Sequence, residues 1–191
     1  MKQGQIVEEF DAKGKAGESL HVVFRYPALD DVRAAVRFVN AARDEAEFLG
    51  QRHHETIESE KKFIQGNIEN MEKEKGVFLF VEIGGELVGD SVIRPSEFDV
   101  SPHVGKFGIM LREKFTGLGI GTRLAKKVLE LAARDTRFKV IESSYFSKNI
   151  RSKKLHELLG FKQYGVFPKE VLLRDGSYSD HLYVYKQIKE L

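Results

Sequence analysis

Apolar positions along this chain alternate between a spacing near two and a spacing of three to four, and each change of period marks a change of element. Residues 6–10 and 20–26 have strand composition and flank a flexible turn, Asp11-Ala12-Lys13-Gly14-Lys15-Ala16-Gly17, which predicts an opening hairpin ended by Pro27. Asp30 offers an N-cap, and Val32, Val36 and Val39 recur at helical spacing. They predict a first amphipathic helix that extends toward Phe48 and stops at Gly50. Thr56 can cap a second helix with Ile64, Ile68 and Met71 on one stripe. Residues 77–83 are apolar nearly throughout and join 87–93 through Gly84-Gly85, the pattern of a tight hairpin with a strand buried on both faces. A loop over 95–102 leads to a strand at 104–111. The helix that follows carries Leu124, Val128, Leu131 and Ala132; residues 139–146 alternate as a strand; and Asn149 begins the last helix. Residues 163–173 and 178–185 flank Asp175-Gly176 as a closing hairpin.

Antiparallel hairpins on either side of a central strand-helix-strand-helix predict an α+β fold, with a mixed, mostly antiparallel central sheet flanked by helices. At 191 residues the expectation is a single domain over 1–191. The 31 Lys+Arg against 29 Asp+Glu leave a formal charge of +2, too balanced to point to nucleic acid or a membrane as partner. With no cysteine, disulfides and thiolate catalysis are excluded. No apolar run approaches ~20 residues, and Met1-Lys2-Gln3-Gly4 opens no signal peptide, so a soluble cytoplasmic protein is expected. His53-His54 are adjacent and diverge, and no second His follows at metal-site spacing, so no metal is expected.

The stretch Leu111-Arg112-Glu113-Lys114-Phe115-Thr116-Gly117-Leu118-Gly119-Ile120-Gly121-Thr122 carries the candidate chemistry. Alternating glycines let the backbone approach an anion, and the following helix turns its free N–H groups and positive dipole end to the same place. A nucleotide P-loop would need Gly-Lys-Ser/Thr, and here Thr122 and Arg123 follow Gly121. A dinucleotide loop would be Gly-x-Gly-x-x-Gly in a first βαβ unit, whereas this one is Gly-x-Gly-x-Gly past mid-chain.

What fits is an R/Q-x-x-G-x-G/A pattern, and the segment closely resembles the acyl-CoA-binding motif of the GNAT superfamily of N-acetyltransferases, with Gly119 and Gly121 in the glycine positions. Downstream, residues 149–161 are similar to the family signature N-x-x-A-x-x-L-Y-E-K-L-G-F, matching at Asn149, Leu155, Glu157, Leu159, Gly160 and Phe161. Tyr164-Gly165 and the run Arg174-Asp175-Gly176-Ser177-Tyr178-Ser179-Asp180 resemble the family's usual ending. The resemblance implies a GNAT fold in which acetyl-CoA wedges between splayed strands 104–111 and 139–146. It divides the chain into an N-terminal hairpin (1–26), acceptor-side helices (27–75), an acetyl-CoA-binding core (76–161) and a C-terminal hairpin (162–191). It implies cofactor contacts from Leu111, Thr116, Gly117, Leu118, Gly119, Ile120, Gly121, Thr122 and Asn149, with an oxyanion-binding backbone N–H near Leu111. The implied activity is direct transfer of the acetyl group to a primary amine of a small molecule or protein. The rival is a non-catalytic acetyl-CoA-binding or interaction module of the same fold, and a homodimer stays open.

Two departures fall on functional positions. Thr116 stands where the family has Arg or Gln, so a side-chain contact to the diphosphate is expected to be missing. His156 stands where the family has Tyr, which implies His156 as the acid that protonates the leaving thiolate; the alternative is that it packs while Tyr145 or Tyr164 donates. Asp44, Glu45, Glu47, Glu55, Glu58 and Glu60 give the acceptor-side segment a negative bias, either a rim for a cationic amine or a solvated face. His103, Glu82 and Asp90 are expected to face solvent, the last two at strand edges.

Overall fold

In the computed structural model, which describes residues 2–191, the strands are β1 (Ile6–Lys13), β2 (Ser19–Arg25), β3 (Val77–Ile83), β4 (Glu86–Pro95), β5 (Val104–Leu111), β6 (Val140–Phe146), β7 (Lys162–Leu172) and β8 (Tyr178–Gln187). They form one eight-stranded sheet in the order β1-β2-β3-β4-β5-β6-β8-β7. Every pairing is antiparallel except β5 with β6. Helices α1 (Val32–Glu45) and α2 (Ile57–Glu72) cover one face; α3 (Ile120–Asp135) crosses the other as the β5-to-β6 connection, and α4 (Ile150–Leu158) follows β6. The expected α+β fold with a mixed, mostly antiparallel sheet is the observed one.

Strand β3 shows why two helical layers are needed. Val77, Leu79 and Val81 enter the core beneath α3, where Leu124, Val128, Leu131 and Ala132 meet them. Phe78 and Phe80 point the other way into the α1 and α2 core with Phe38, Ile64 and Ile68. Thr56 caps α2 as anticipated, with Thr56 Oγ1 accepting the Ser59 N–H at 3.1 Å and Ser59 Oγ accepting the Thr56 N–H at 2.9 Å. Helix α1 stops at Glu45, short of Phe48. Beyond it Ala46 is extended, and the Glu45 carboxylate is tied to Arg112 and to the Glu113 N–H across the sheet. Residues 46–50 are thereby left as a loop over the end of β5.

The decisive irregularity is the parallel pair. β5 and β6 are registered only from Val104↔Val140 to Lys106↔Glu142. Beyond that point β5 stays with β4 as far as Leu111↔Gly89, and β6 stays with β8 as far as Phe146↔His181, so the two strands part. Gly105 sits where they still touch: a Cβ there would come within 2.7 Å of Ile93 and 3.0 Å of Ile141. No helix among the described residues is long and apolar enough to cross a membrane.

Asp90 is not at an exposed edge. It is 8% exposed on the α1/α2 face of β4, and Glu60 on α2 is 4% exposed. Burial, and then the charge of Glu55, pushes Glu60 up to about 7; burial, and then the charge of Glu60, pushes Asp90 up to about 7. Both carboxyls ordinarily titrate near 4.5 and 3.8, so between about pH 4 and pH 7 the folded chain holds protons that the unfolded chain has lost. These two groups therefore stabilise the fold below that window and progressively less as pH rises through it. Joint substitution Glu60→Gln and Asp90→Asn is expected to raise the melting temperature at pH 8 and flatten its decline between pH 4 and 7. Melting curves with an unaltered pH slope would contradict this.

A cleft through the sheet as candidate active site

The parting of β5 and β6 opens a cleft of ≈ 1100 Å³ bounded by the 46–50 loop, β5, the start of α3, β6 and α4. Strand alternation sets which backbone groups face it. The Arg112 N–H donates to Val88 O at 2.9 Å, toward β4, so the Leu111 amide one residue earlier is directed to the opposite, unpaired edge. Leu111 and Ile109 both line the cleft.

At its outer end lies the glycine loop. Gly117 and Gly119 have φ of +80° and +81°, a region costly for a side chain, and a Cβ on either would meet nothing within 4 Å. Gly119 is the N-cap of α3, and the Arg123 N–H is the first to find a helical acceptor, on Gly119 O at 3.0 Å. The N–H groups of Ile120, Gly121 and Thr122 are left for an external anion. Gly121 differs from these two: it has no left-handed φ, and a Cβ there would make ordinary contacts at 3.8 and 4.0 Å with Ile109 and Leu111. Its place in the loop is not dictated by the backbone.

A cation does stand at Thr116. Arg151, from the first turn of α4, donates from Nη1 to Thr116 Oγ1 at 3.0 Å and is forked onto Glu113 at 2.7 and 2.6 Å. Sequence reasoning missed it because Arg151 and Thr116 are 35 positions apart. Arg123, the nearer cation in sequence, is paired with Glu8 and lies over the Phe10 ring. Asn149 lines the cleft and caps α4, its Oδ1 accepting the Ser152 N–H at 3.0 Å.

On the α3 face of the sheet the cleft is floored by Ser143, Tyr145 and His156. His156 is 3% exposed, and its ring stacks on Tyr145 with centroids 5.2 Å apart. Nδ1 lies 2.8 Å from Ser152 O, and Nε2 lies 2.9 Å from Ser143 Oγ. A carbonyl only accepts, so Nδ1 carries the hydrogen; the Ser143 hydroxyl lies between Nε2 at 2.9 Å and Phe107 O at 3.2 Å, with one hydrogen to give to either. Burial lowers the His156 pKa, with the Ser152 carbonyl acting weakly the other way. The neutral ring is favoured and both nitrogens are engaged. Tyr164 is outside the cleft, on β7, with its hydroxyl on Glu142. Tyr145 remains at the cleft wall, and burial raises its pKa.

The acidic rim is largely paired or buried. Asp44 meets His54, Glu45 meets Arg112, Glu55 meets Arg43, Glu58 meets Lys62, and Glu60 is buried; Glu47 alone of the six lines the cleft outside these pairs. His103 lies before β5, its carbonyl accepting from the Lys139 and Val140 N–H groups, away from the cleft. Among the described residues, no group of three or more His, Cys, Asp or Glu could hold a metal ion.

An anion cradle at a helix start, opening into a gap between parallel strands, defines the class, and the comparisons agree. The chain belongs to the GNAT acetyltransferase family, whose domain model matches residues 21–162. It is 28% identical over 102 residues to the L-amino acid N-acetyltransferase AaaT of Escherichia coli (strain K12), a match covering 53% of this chain and 62% of that relative. Its fold is that of a GNAT acetyltransferase from Streptococcus pneumoniae, with TM-score 0.80, 18% identity and coverage of 87% and 99% of the two chains. It is likewise that of yncA from Salmonella typhimurium, solved with its cofactor acetyl-CoA, with TM-score 0.77, 18% identity and coverage of 89% and 95%.

The two kinds of glycine in the loop should separate by stability alone. Gly119→Ala forces a side chain into the left-handed region and is expected to cost about 1 kcal/mol, whereas Gly121→Ala should leave unfolding unchanged or slightly improved. Denaturant titrations that reverse this order would refute the assigned loop geometry.

Proposed function

We propose that this chain transfers the acetyl group of acetyl-CoA directly to a primary amine of a small molecule or protein. The observation that carries the reading is one continuous cleft that begins at the free N–H groups of Ile120, Gly121 and Thr122 and reaches the unpaired Leu111 edge. The diphosphate is held by those N–H groups, by the α3 dipole and by Arg151, which supplies the charge that Thr116 lacks. Asn149 and the open edges of β5 and β6 bond the pantetheine arm. The Leu111 N–H meets the carbonyl oxygen as it becomes an oxyanion, and it needs no reorganisation to do so.

Direct attack is favoured over an acyl-enzyme. There is no cysteine, and the buried Ser143–His156 pair ends on a backbone carbonyl rather than a carboxylate. The amine nitrogen forms the new C–N bond, the C–S bond breaks, and the thiolate takes a proton. We assign that proton to the Tyr145 hydroxyl, with His156 holding the ring by stacking. The family resemblance alone would assign it to His156. For the acceptor, the amino-acid acetyltransferase relative supports a small amine carrying its own polar groups.

The test is CoA release from acetyl-CoA with the twenty L-amino acids, spermidine and an alanine-ended peptide as acceptors. Release with at least one amine is expected; acetyl-CoA binding without release from any of them would favour the non-catalytic module. Two variants probe the assignments. Arg151→Ala is expected to weaken acetyl-CoA about tenfold by calorimetry, the worth of one charge-assisted hydrogen bond, and Thr116→Ala to change it little. Tyr145→Phe is expected to lower kcat by ~100-fold with acetyl-CoA affinity kept, and His156→Phe to lower it much less. The opposite ranking returns the acid to His156.

A further inference from the structure

The cleft does not end at the sheet. On the face opposite α3 it meets a second chamber of ≈ 570 Å³ between the loop after α1 and the β7–β8 hairpin. Leu49, Gly50, Phe146 and His181 line both spaces. His181 is the only titratable residue of the four. Strand alternation puts it on the α1/α2 side: its neighbours Leu182 and Val184 pack into the core beneath α3, so His181 and Tyr183 face the other way. An acceptor in this chamber therefore approaches from the side of the sheet opposite His156 and Tyr145, through the gap between β5 and β6.

The ring of His181 is held by a device that costs the hairpin its regularity. The β7–β8 register breaks between Phe167 and Val171, and Lys169 within the break has φ of +55°, strained for a residue other than glycine. The Asp180 carboxylate accepts the Lys169 N–H at 2.9 Å and fixes the bulge. Its effect is to return Glu170 onto His181, with Oε2 2.7 Å from Nδ1 and 3.3 Å from the Tyr183 hydroxyl. The Phe146 ring meets the imidazole edge-on at 5.2 Å. A carboxylate accepts only, so Nδ1 bears the hydrogen, and in the neutral ring Nε2 carries the lone pair. Nε2 has no hydrogen-bond partner among the described residues. Strain of this kind next to a cavity is kept where it re-aims a functional side chain.

We propose that His181 is the general base of the transfer, taking the proton from the acceptor ammonium in this chamber, and that Glu170 is its positioning residue. The proposal rests on the acetyl-transfer reading above. In the step, Nε2 takes one proton from R–NH3+; the amine lone pair forms the C–N bond at the thioester carbon as the C–S bond breaks. The second nitrogen proton goes to bulk water while Tyr145 protonates the sulfur, and Tyr145 and His181 then exchange protons with solvent. The net products are the amide, CoA thiol and one proton. Glu170 from β7, Tyr183 from β8, and Arg52 and His53 from the loop are the titratable groups facing His181 or its chamber. The Arg52 guanidinium is turned onto Leu172 O at 2.6 Å, which also ties the loop to the hairpin.

The experiment is the pH profile of kcat/KM, from pH 5.5 to 9, for acetyl-CoA with the best amine of the panel above. His181→Gln is expected to lower kcat/KM by 10²–10⁴-fold and erase the acidic limb, with acetyl-CoA affinity by calorimetry within about twofold of wild type. Imidazole added to His181→Ala is expected to restore part of the loss. Glu170→Gln should shift the acidic limb and lower kcat by less than His181→Gln, with Glu170→Asp intermediate and all variants melting cooperatively. Active wild type with an acidic limb unmoved in His181→Gln and Glu170→Gln overturns this proposal alone. Wild type inert toward every amine overturns the acetyl-transfer reading with it.

Discussion

One missing ladder governs this protein. Inside a sheet each strand normally satisfies its backbone on both sides, and leaving buried N–H and C=O groups unpaired costs free energy comparable to lost hydrogen bonds. After Lys106↔Glu142 the ladder between β5 and β6 stops, Ser143 Oγ donates to Phe107 O at 3.2 Å, and the edges beyond open into the cleft. The exposed edges are oriented hydrogen-bonding groups, so they suit a ligand with an amide-bearing arm and a carbonyl that becomes an oxyanion. Everything else serves to hold the strands apart. Gly105 lets them touch at the base, Glu45 clamps Arg112 and Glu113 at the end of β5, and β8 keeps β6 straight to Phe146.

The second constraint is electrostatic. A diphosphate needs positive potential, yet the nearest basic side chain of α3, Arg123, is committed to Glu8. The helix start offers free N–H groups, and Arg151, Lys148 and Lys154 line the same cleft, Arg151 as a pair with Glu113. Because Arg151 is already forked onto Glu113, its guanidinium is ordered before any ligand arrives, and a ligand phosphate competes with a carboxylate that keeps the cation in place. The Glu113 pKa is held low by that same pairing.

How far the sequence can be read follows from the range of each interaction. Elements came out almost to the residue wherever local chemistry decides: β5 and the Thr56 and Asn149 caps agree with expectation because spacing and capping are near-neighbour effects. The end of α1 did not, because Glu45 answers to Arg112, 67 positions away. The same limit hid the cation at Thr116, the buried Glu60 and Asp90, and the Glu170–His181 pair, each a product of strands and helices meeting in space. Gly121 has no left-handed φ, so the sequence pattern alone does not separate it from Gly117 and Gly119, whose φ values need glycine. His156 was legible as a departure from the family pattern, but its burial against Tyr145 and Ser143 was not.

We propose that the gap between β5 and β6 is the path of acetyl-CoA through the sheet. A crystal structure with a non-reactive acetyl-CoA thioether analogue tests it most directly. The diphosphate is expected on the N–H groups of Ile120, Gly121 and Thr122 with Arg151 alongside, the pantetheine arm bonded to the open edge of β5, and the carbonyl oxygen at the Leu111 N–H. An analogue lying elsewhere, or a β5–β6 ladder closed beyond Lys106↔Glu142 in the crystal, would contradict it.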